Sequence, residues 1–226
     1  MTAPKFYPPA ERKIIPAGDN DPVMRPVVVV LHVDAGNALS LFRWFSKGSG
    51  GIESHLHIRR DGSIEQYRTF DREADAQLGG NSWTTTNNGR LGSISVETQG
   101  TGFGFWTRAQ KAAIKEFLLW ANTKLDIPLR VVTDPNPNMP LDGGVGYHSL
   151  FKRWNSLGKS CPGPRRIAWF KAKLVPWLAE QNKKYVVFTQ IDTITAFAKD
   201  HNVSVPRLWR MNAGPAPRAG VRLRVK

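Results

Sequence analysis

Residues 27–36 read Val27-Val28-Val29-Val30-Leu31-His32-Val33-Asp34-Ala35-Gly36. Four consecutive valines and a leucine, with no polar alternation, predict a strand buried on both faces of a sheet. The run breaks at His32, where the chain leaves the strand for the loop Val33-Asp34-Ala35-Gly36. An imidazole at the end of a buried strand faces a cleft.

Working outward, Leu39 to Phe45 is predicted as a short helix, closed by Gly48-Ser49-Gly50-Gly51. His55 to Arg59 and Ser63 to Tyr67 flank Arg60-Asp61-Gly62, and Asp-Gly is a strong hairpin signal. A stretch rich in Gly, Asn and Thr, Leu78 to Gly92, reads as a loop. Ile94-Ser95-Val96-Glu97 alternates as a strand. Thr107 with Gln110 forms a capping-box pattern, and Ile114, Phe117, Leu118, Ala121 and Leu125 follow at helical spacing. Thr133 to Gly146, rich in Pro, Asn and Gly, reads as an irregular loop. A last helix starts near Pro164, buries Ile167, Phe170, Leu174 and Leu178, and is kinked near its end by Pro176. Strands mixed with amphipathic helices predict an α/β sheet covered by helices.

The final stretch, Tyr185 to Lys226, reads as a separate unit: strand (Tyr185–Phe188), helix (Thr193–His201), helix (Val205–Asn212) and strand (Val221–Val225). The boundary is the polar Gln181-Asn182-Lys183-Lys184.

The 226 residues suffice for one domain with a substantial core and a small appendage. A hydrophobic share of 41% with eight tryptophans excludes a disordered chain. The formal charge of +14 attracts polyanions, nucleic acid or envelope polymers alike, and the scattered basic residues do not choose between them. One cysteine, Cys161, excludes an intramolecular disulfide. The segment from Met1 to Asn20 has no apolar h-region, so no secretory signal is expected. No run approaches the ~18 apolar residues of a membrane span.

His32, His148 and Cys161 stand out as candidate metal ligands. Two imidazoles and a thiolate leave a fourth tetrahedral position for water, the arrangement of a catalytic zinc. By spacing alone the signal is weak: a lone histidine is more often structural than a ligand, and a lone cysteine is usually a small buried hydrophobe.

The order of motifs resembles the type-2 N-acetylmuramoyl-L-alanine amidases, which share a fold with peptidoglycan recognition proteins. The matching pieces are the strand ending in His32, the segment from Ser54 to Gln66, Ser93 to Glu97, and Trp106 to Gln110 opening a helix. They continue with Gly146-Tyr147-His148 and Lys159-Ser160-Cys161-Pro162-Gly163-Pro164. The resemblance implies a mixed central sheet covered by helices, with Zn2+ held by His32, His148 and Cys161. It gives Glu97 the role of general base and Lys159 that of stabilising the oxyanion. Where another branch of the family carries a catalytic tyrosine, this chain has Ser54, which shifts weight onto Glu97. Where some relatives carry a substrate-facing histidine, it has Ala76-Gln77. His55 and His57 share one face of a strand and are not assigned to the metal.

The C-terminal unit resembles a LysM module, a β-α-α-β fold that binds N-acetylglucosamine chains. The matching residues are Tyr185-Val186-Val187, Asp192-Thr193-Ile194, Phe197-Ala198, Val203-Ser204-Val205, Leu208, Asn212 and Leu223-Arg224-Val225, with Ile191 where a glycine is usual. The expected organisation is a leader (1–24), a zinc amidase domain (25–181) and a LysM-like wall-binding module (185–226). The resemblance implies a peptidoglycan hydrolase of the phage endolysin type. Such an enzyme is made in the host cytoplasm and acts on the wall after release. Peptidoglycan is its expected partner, with anionic wall polymers as a second; nucleic acid, membrane and a second copy are not expected. The alternative is a peptidoglycan-binding or sensing protein without turnover.

Overall fold

The valine run is the middle of a sheet, as its lack of alternation requires. The computed structural model describes residues 3–16, 21–47, 52–76, 83–86, 89–133, 143–151, 155, 158–182, 185–187, 194–212 and 222–225. Gly48–Gly51, Gln77, the Lys183-Lys184 boundary, Phe188, Ile191, Asp192-Thr193 and Val221 lie outside the described residues.

In chain order the first strands and helix are β1 (Glu11–Arg12), β2 (Arg25–Leu31), α1 (Phe42–Ser46), β3 (Leu56–Ile58) and β4 (Ile64–Gln66). Next come β5 (Trp83–Thr86), β6 (Gly89–Thr98), α2 (Arg108–Leu125) and β7 (Gly144–Tyr147). A helical run follows: α3 (Pro164–Trp169), a π-turn (Phe170–Leu174) and α4 (Val175–Asn182). The chain closes with β8 (Tyr185–Val187), α5 (Ile194–Asp200), α6 (Val205–Asn212) and β9 (Arg222–Arg224).

The large sheet has the order β1-β4-β3-β6-β2-β7, with β5 on the first half of β6. Strands β3, β6, β2 and β7 are mutually parallel, while β4 runs antiparallel to β3 and parallel to β1, and β5 runs antiparallel to β6. The sheet is therefore mixed, and its four parallel strands all end on one edge. Ligand sites in open α/β sheets form at that edge, beyond the carboxyl ends of the strands.

Local signals read correctly where the chemistry is local. Arg60-Asp61-Gly62 makes the β3–β4 turn, with Gly62 at φ +90°, a conformation costly for residues bearing a Cβ. Thr107 caps α2: its hydroxyl accepts from Gln110 N, and Gln110 Oε1 accepts from Thr107 N. The Gln110 amide also donates to the carbonyls of Ile58 and Gln99, tying the start of α2 to the ends of β3 and β6. Ile114, Phe117, Leu118, Ala121 and Leu125 are all buried, and α2 packs on β2 and β3.

Four expectations are corrected. The segment expected as a leader joins the fold: β1 pairs with β4, Ile15 is buried, and the Tyr7 ring packs edge-on against Phe117. Its apolar residues are too sparse to show a period, so the pattern concealed them. The expected loop from Leu78 to Gly92 contains β5 and the start of β6, because Trp83-Thr84-Thr85-Thr86 is aromatic and β-branched and pairs with Gly89–Gly92. The expected loop from Thr133 ends early, since β7 starts at Gly144. Gly146 is a packing glycine: a Cβ there would lie 2.6 Å from the Phe151 ring. In the last helix Phe170, Leu174 and Leu178 are buried, but Ile167 is half-exposed and Arg166 takes the interior place. The irregularity near Pro176 is the π-turn just before it, where a proline can donate no backbone hydrogen bond.

The chain divides into two compact units, residues 1–174 and 175–226. In the second, β8 and β9 pair antiparallel, with α5 and α6 between them in sequence. Its core is Phe197, Ala198, Val203, Leu208, Leu223 and Val225. Among the described residues no helix is long and apolar enough to cross a membrane.

Candidate metal centre and cleft

Strand register brings the candidate residues together. Leu31 pairs with Val96 on one side and Tyr147 on the other, so the next residues, His32, Glu97 and His148, emerge side by side at the sheet edge. His57 continues the row, paired with Glu97. The His32 amide donates to the Val96 carbonyl at 2.8 Å, holding the last rung closed.

Cys161 arrives from the loop before α3. Ser149 N donates to its carbonyl at 2.9 Å, which joins that loop to the end of β7. Gly163 makes the approach possible: at φ +104°, a Cβ there would lie 1.8 Å from the Gly102 carbonyl oxygen. The Cys161 Sγ lies 3.9 Å from His32 Nδ1, and the His32 and His148 ring centroids are 4.7 Å apart. One ligand atom each from His32, His148 and Cys161 falls within a mutual 4.8 Å.

These donors suit zinc. A tetrahedral ion with bonds of about 2.3 Å to sulfur and about 2.0 Å to nitrogen holds its donors roughly 3.5 Å apart. The three donors stand slightly wider, within the reach of side-chain rotation. Burial, with His148 beside it, holds His32 well below the usual imidazole range, hence neutral and able to ligate. Its Nε2 is buried with no hydrogen-bond partner among the described residues. Burial and the nearby Glu97 push the Cys161 thiol up to about 12, against the Val33 amide, Lys159 and Arg166. A cation among the three donors would favour the thiolate instead.

Glu97 stands 3.9 Å from His32 through Oε1, and its Oε2 has no partner among the described residues. Burial, reinforced by Asp34, lifts its carboxyl to about 8. Lys159 is exposed and borders the same cleft; Asn155 holds its backbone from both sides, at 2.9 Å to its amide and 2.6 Å from its carbonyl. The cleft has a volume of about 360 Å3 and includes His32, Glu97, His148, Lys159 and Cys161 in its lining. Ala76 lines it too.

Other sequence candidates lie elsewhere. Ser54 is fully buried, and its hydroxyl donates to the Leu56 carbonyl at 3.2 Å. His55 is fixed between the Arg72 carbonyl and the Ser95 amide, and burial lowers it to about 4. Neither lines the cleft.

Two residues carry structure at the site without having been singled out in the sequence. The Asp34 carboxylate accepts from the amides of Asn37, Ala38 and Gly100, at 3.0–3.1 Å, and lies 3.3 Å from His57 Nε2. It pins the loops that follow β2 and β6. The turn signal Asp34-x-x-Asn37 was present, though nothing in it points to His57. The fully buried Arg166 guanidinium donates to the carbonyls of Thr101 and Pro162.

A family model described as Amidase_2, N-acetylmuramoyl-L-alanine amidase, matches residues 22–164, the span that holds all five candidate residues. Among solved structures, the solution structure of the PlyG catalytic domain matches with a TM-score of 0.53 at 18% identity, covering 81% of this chain and 99% of that one. The structure of PlyL matches with a TM-score of 0.50 at 16% identity, covering 76% and 96%. An N-acetylmuramoyl-L-alanine amidase, LysC, from Clostridium intestinale matches with a TM-score of 0.45 at 20% identity, covering 67% and 86%. No curated protein sequence matches the chain.

Proposed function

Because this chain belongs to the N-acetylmuramoyl-L-alanine amidase family, we propose that it hydrolyses the amide bond between N-acetylmuramic acid and L-alanine in peptidoglycan, using zinc held by His32, His148 and Cys161. The observation that carries this reading is the convergence of those three donors in one cleft, beside a Glu97 oxygen that has no partner among the described residues. A zinc ion bound there supplies Lewis acidity toward a carbonyl and a water.

Glu97 acts as the proton carrier. Burial alone favours its protonated form, and a zinc ion in the cleft would favour the carboxylate, whose oxygen then takes a proton from the attacking water and returns it to the amine of L-alanine as the C–N bond breaks. Lys159, at the cleft wall, places a positive charge near the oxygen that becomes negative as the carbonyl carbon turns tetrahedral. Asp34 holds the two loops that frame these groups. Ser54, tied to backbone and buried, takes no part.

The second unit is assigned as a LysM-like wall-binding module, supported by its β-α-α-β order and its apolar core. A wall-binding unit beside a hydrolase suits an enzyme that works on polymer, and the reading extends to an endolysin acting at host lysis. The charge of +14 adds attraction to anionic wall polymers, which weakens with salt.

Purified walls treated with the zinc-loaded protein test the reaction. Clearing that stops with a chelator, with free amino groups released and no new reducing sugar ends, identifies the amide bond. Walls left intact in the presence of zinc would overturn the enzyme reading, and retained pelleting with them would mark a binding protein.

A further inference from the structure

Six large hydrophobic side chains are exposed among the described residues, and four of them sit on two segments that border the cleft: Leu39, Trp44, Phe103 and Phe105. Trp44 and Gly102 themselves line it. Exposed apolar side chains on segments that border one cleft point to an interaction site, whereas apolar residues scattered singly do not.

The rings stand on rigid supports. In α1 the buried Phe45 packs edge-on against Tyr67 at 5.2 Å, and Leu41 N donates to the Tyr67 hydroxyl. Fixing Phe45 inward turns its neighbour Trp44 outward, leaving it 62% exposed. On the other segment, Gly104 N and Arg166 both donate to the Thr101 carbonyl, and the buried Trp106 donates to the Thr98 hydroxyl. Phe103 is left 79% exposed and Phe105 58%, with the Arg165 guanidinium 4.8 Å from the Phe105 ring centre. Holding aromatic faces in water on anchored segments is unfavourable unless a partner covers them.

We propose that Trp44, Phe103 and Phe105 form a saccharide platform on which the sugars flanking the reacting muramic acid stack. This rests on the amidase reading. With the lactyl amide in the cleft, the neighbouring sugars of the strand leave past its rim, which Trp44 and Gly102, the neighbour of Phe103, help to form. A pyranose presents C–H groups on its face and hydroxyls at its edge. It can therefore cover an aromatic ring without burying a polar group. Arg165, stacked on Phe105, offers N–H donors to those edge hydroxyls. The enzyme then reads the glycan strand as well as the stem peptide.

The test compares two substrates with the full-length zinc protein: a peptide on a single muramic acid, and the same peptide on a tetrasaccharide. The wild type favours the tetrasaccharide, and Trp44→Ala or the pair Phe103→Ala and Phe105→Ala lowers the ratio of the two kcat/KM values about tenfold, chiefly through KM. Equal use of both substrates by the wild type, or an unchanged ratio in the variants, overturns the platform. If the wild type turns over neither substrate, the amidase reading fails by itself. An NMR titration with the peptide-free tetrasaccharide then decides the platform. Shifts at residues 39–45 and 102–105 that vanish in Trp44→Ala support it; shifts confined to residues 194–225, or none, overturn it. Dimerisation or phosphatidylglycerol vesicle binding that needs these rings, with no sugar response, also overturns it.

Discussion

Arg166 donates through Nη1 to the Thr101 carbonyl at 2.6 Å, joining the loop after β6 to the segment that carries Cys161. The same nitrogen reaches the Pro162 carbonyl at 3.1 Å, one residue from the proposed ligand. Burial lowers the pKa of this guanidinium, with Asp34 and Cys161 opposing. A Cβ on Gly100 would lie 2.5 Å from Nη2, so backbone and guanidinium are closely fitted. Arg166→Met removes a donor from the Thr101 and Pro162 carbonyls, leaving Thr101 with Gly104 N alone, and should cost about 2–4 kcal/mol in urea unfolding. It should also weaken zinc retention, measured by competition with a chromophoric chelator. Arg166→Lys keeps the charge and one donor direction, and should fall between. Wild-type stability and zinc content in Arg166→Met would show that the clamp does not set the Cys161 loop.

Glu97→Gln separates proton transfer from metal binding. The amide keeps the shape beside His32, 3.9 Å away, but cannot take a proton. The expected result is a fall in kcat of about 10²- to 10⁴-fold with zinc content unchanged. Release of free amino groups and metal analysis on the same samples measure both. Retained activity would remove Glu97 as the base, whereas loss of zinc would make it a supporting group of the metal site.

How much of this was legible in the sequence depends on how far each signal reaches. Val27–Leu31, Asp61-Gly62 and the Thr107–Gln110 cap are decided by residues a few positions apart, and they read correctly. The ligands are a different case: Cys161 lies 129 residues from His32, and they meet because β2 pairs with β7 and Ser149, just past β7, holds the Cys161 loop. No periodicity states that pairing, so the site became visible only through the order of family motifs. Asp34 and Arg166 stayed hidden because their partners are backbone amides and carbonyls, which leave no mark in residue identity. The glycines of β7 misled, since a glycine required by packing against Phe151 looks like one required by a loop.

Glu65 should govern acid stability of the first unit. Oε1 accepts from Lys13 at 2.6 Å and from Arg59; Oε2 accepts from Ser40 at 2.6 Å and from the Tyr67 hydroxyl. Burial works to raise its pKa, but the hydrogen bonds from Lys13, Ser40, Tyr67 and Arg59 outweigh it and bring the carboxyl from 4.5 to about 2. A depressed folded-state pKa stabilises above the unfolded value, so the contribution is complete above 4.5 and fades as pH falls toward about 2. At about 1.4 kcal/mol per pH unit it amounts to roughly 3–4 kcal/mol. Urea titrations across that window should show Glu65→Gln less stable near neutrality and flatter with pH than the wild type. Parallel curves would place the acid sensitivity elsewhere.

Leu208 tests the second unit. It is 1% exposed and packs in a core that comprises six buried side chains among the described residues. Leu→Ala at such a site costs about 2–5 kcal/mol, comparable to the whole stability of so small a unit. Leu208→Ala should therefore unfold residues 175–226, seen as loss of one calorimetric transition. The proposed ligands and Glu97 all lie before residue 174, in the other unit. Turnover of a soluble muramyl peptide should then persist while pelleting with walls drops. If pelleting survives the lost transition, wall binding belongs to the first unit and its basic surface, and the LysM-like assignment falls.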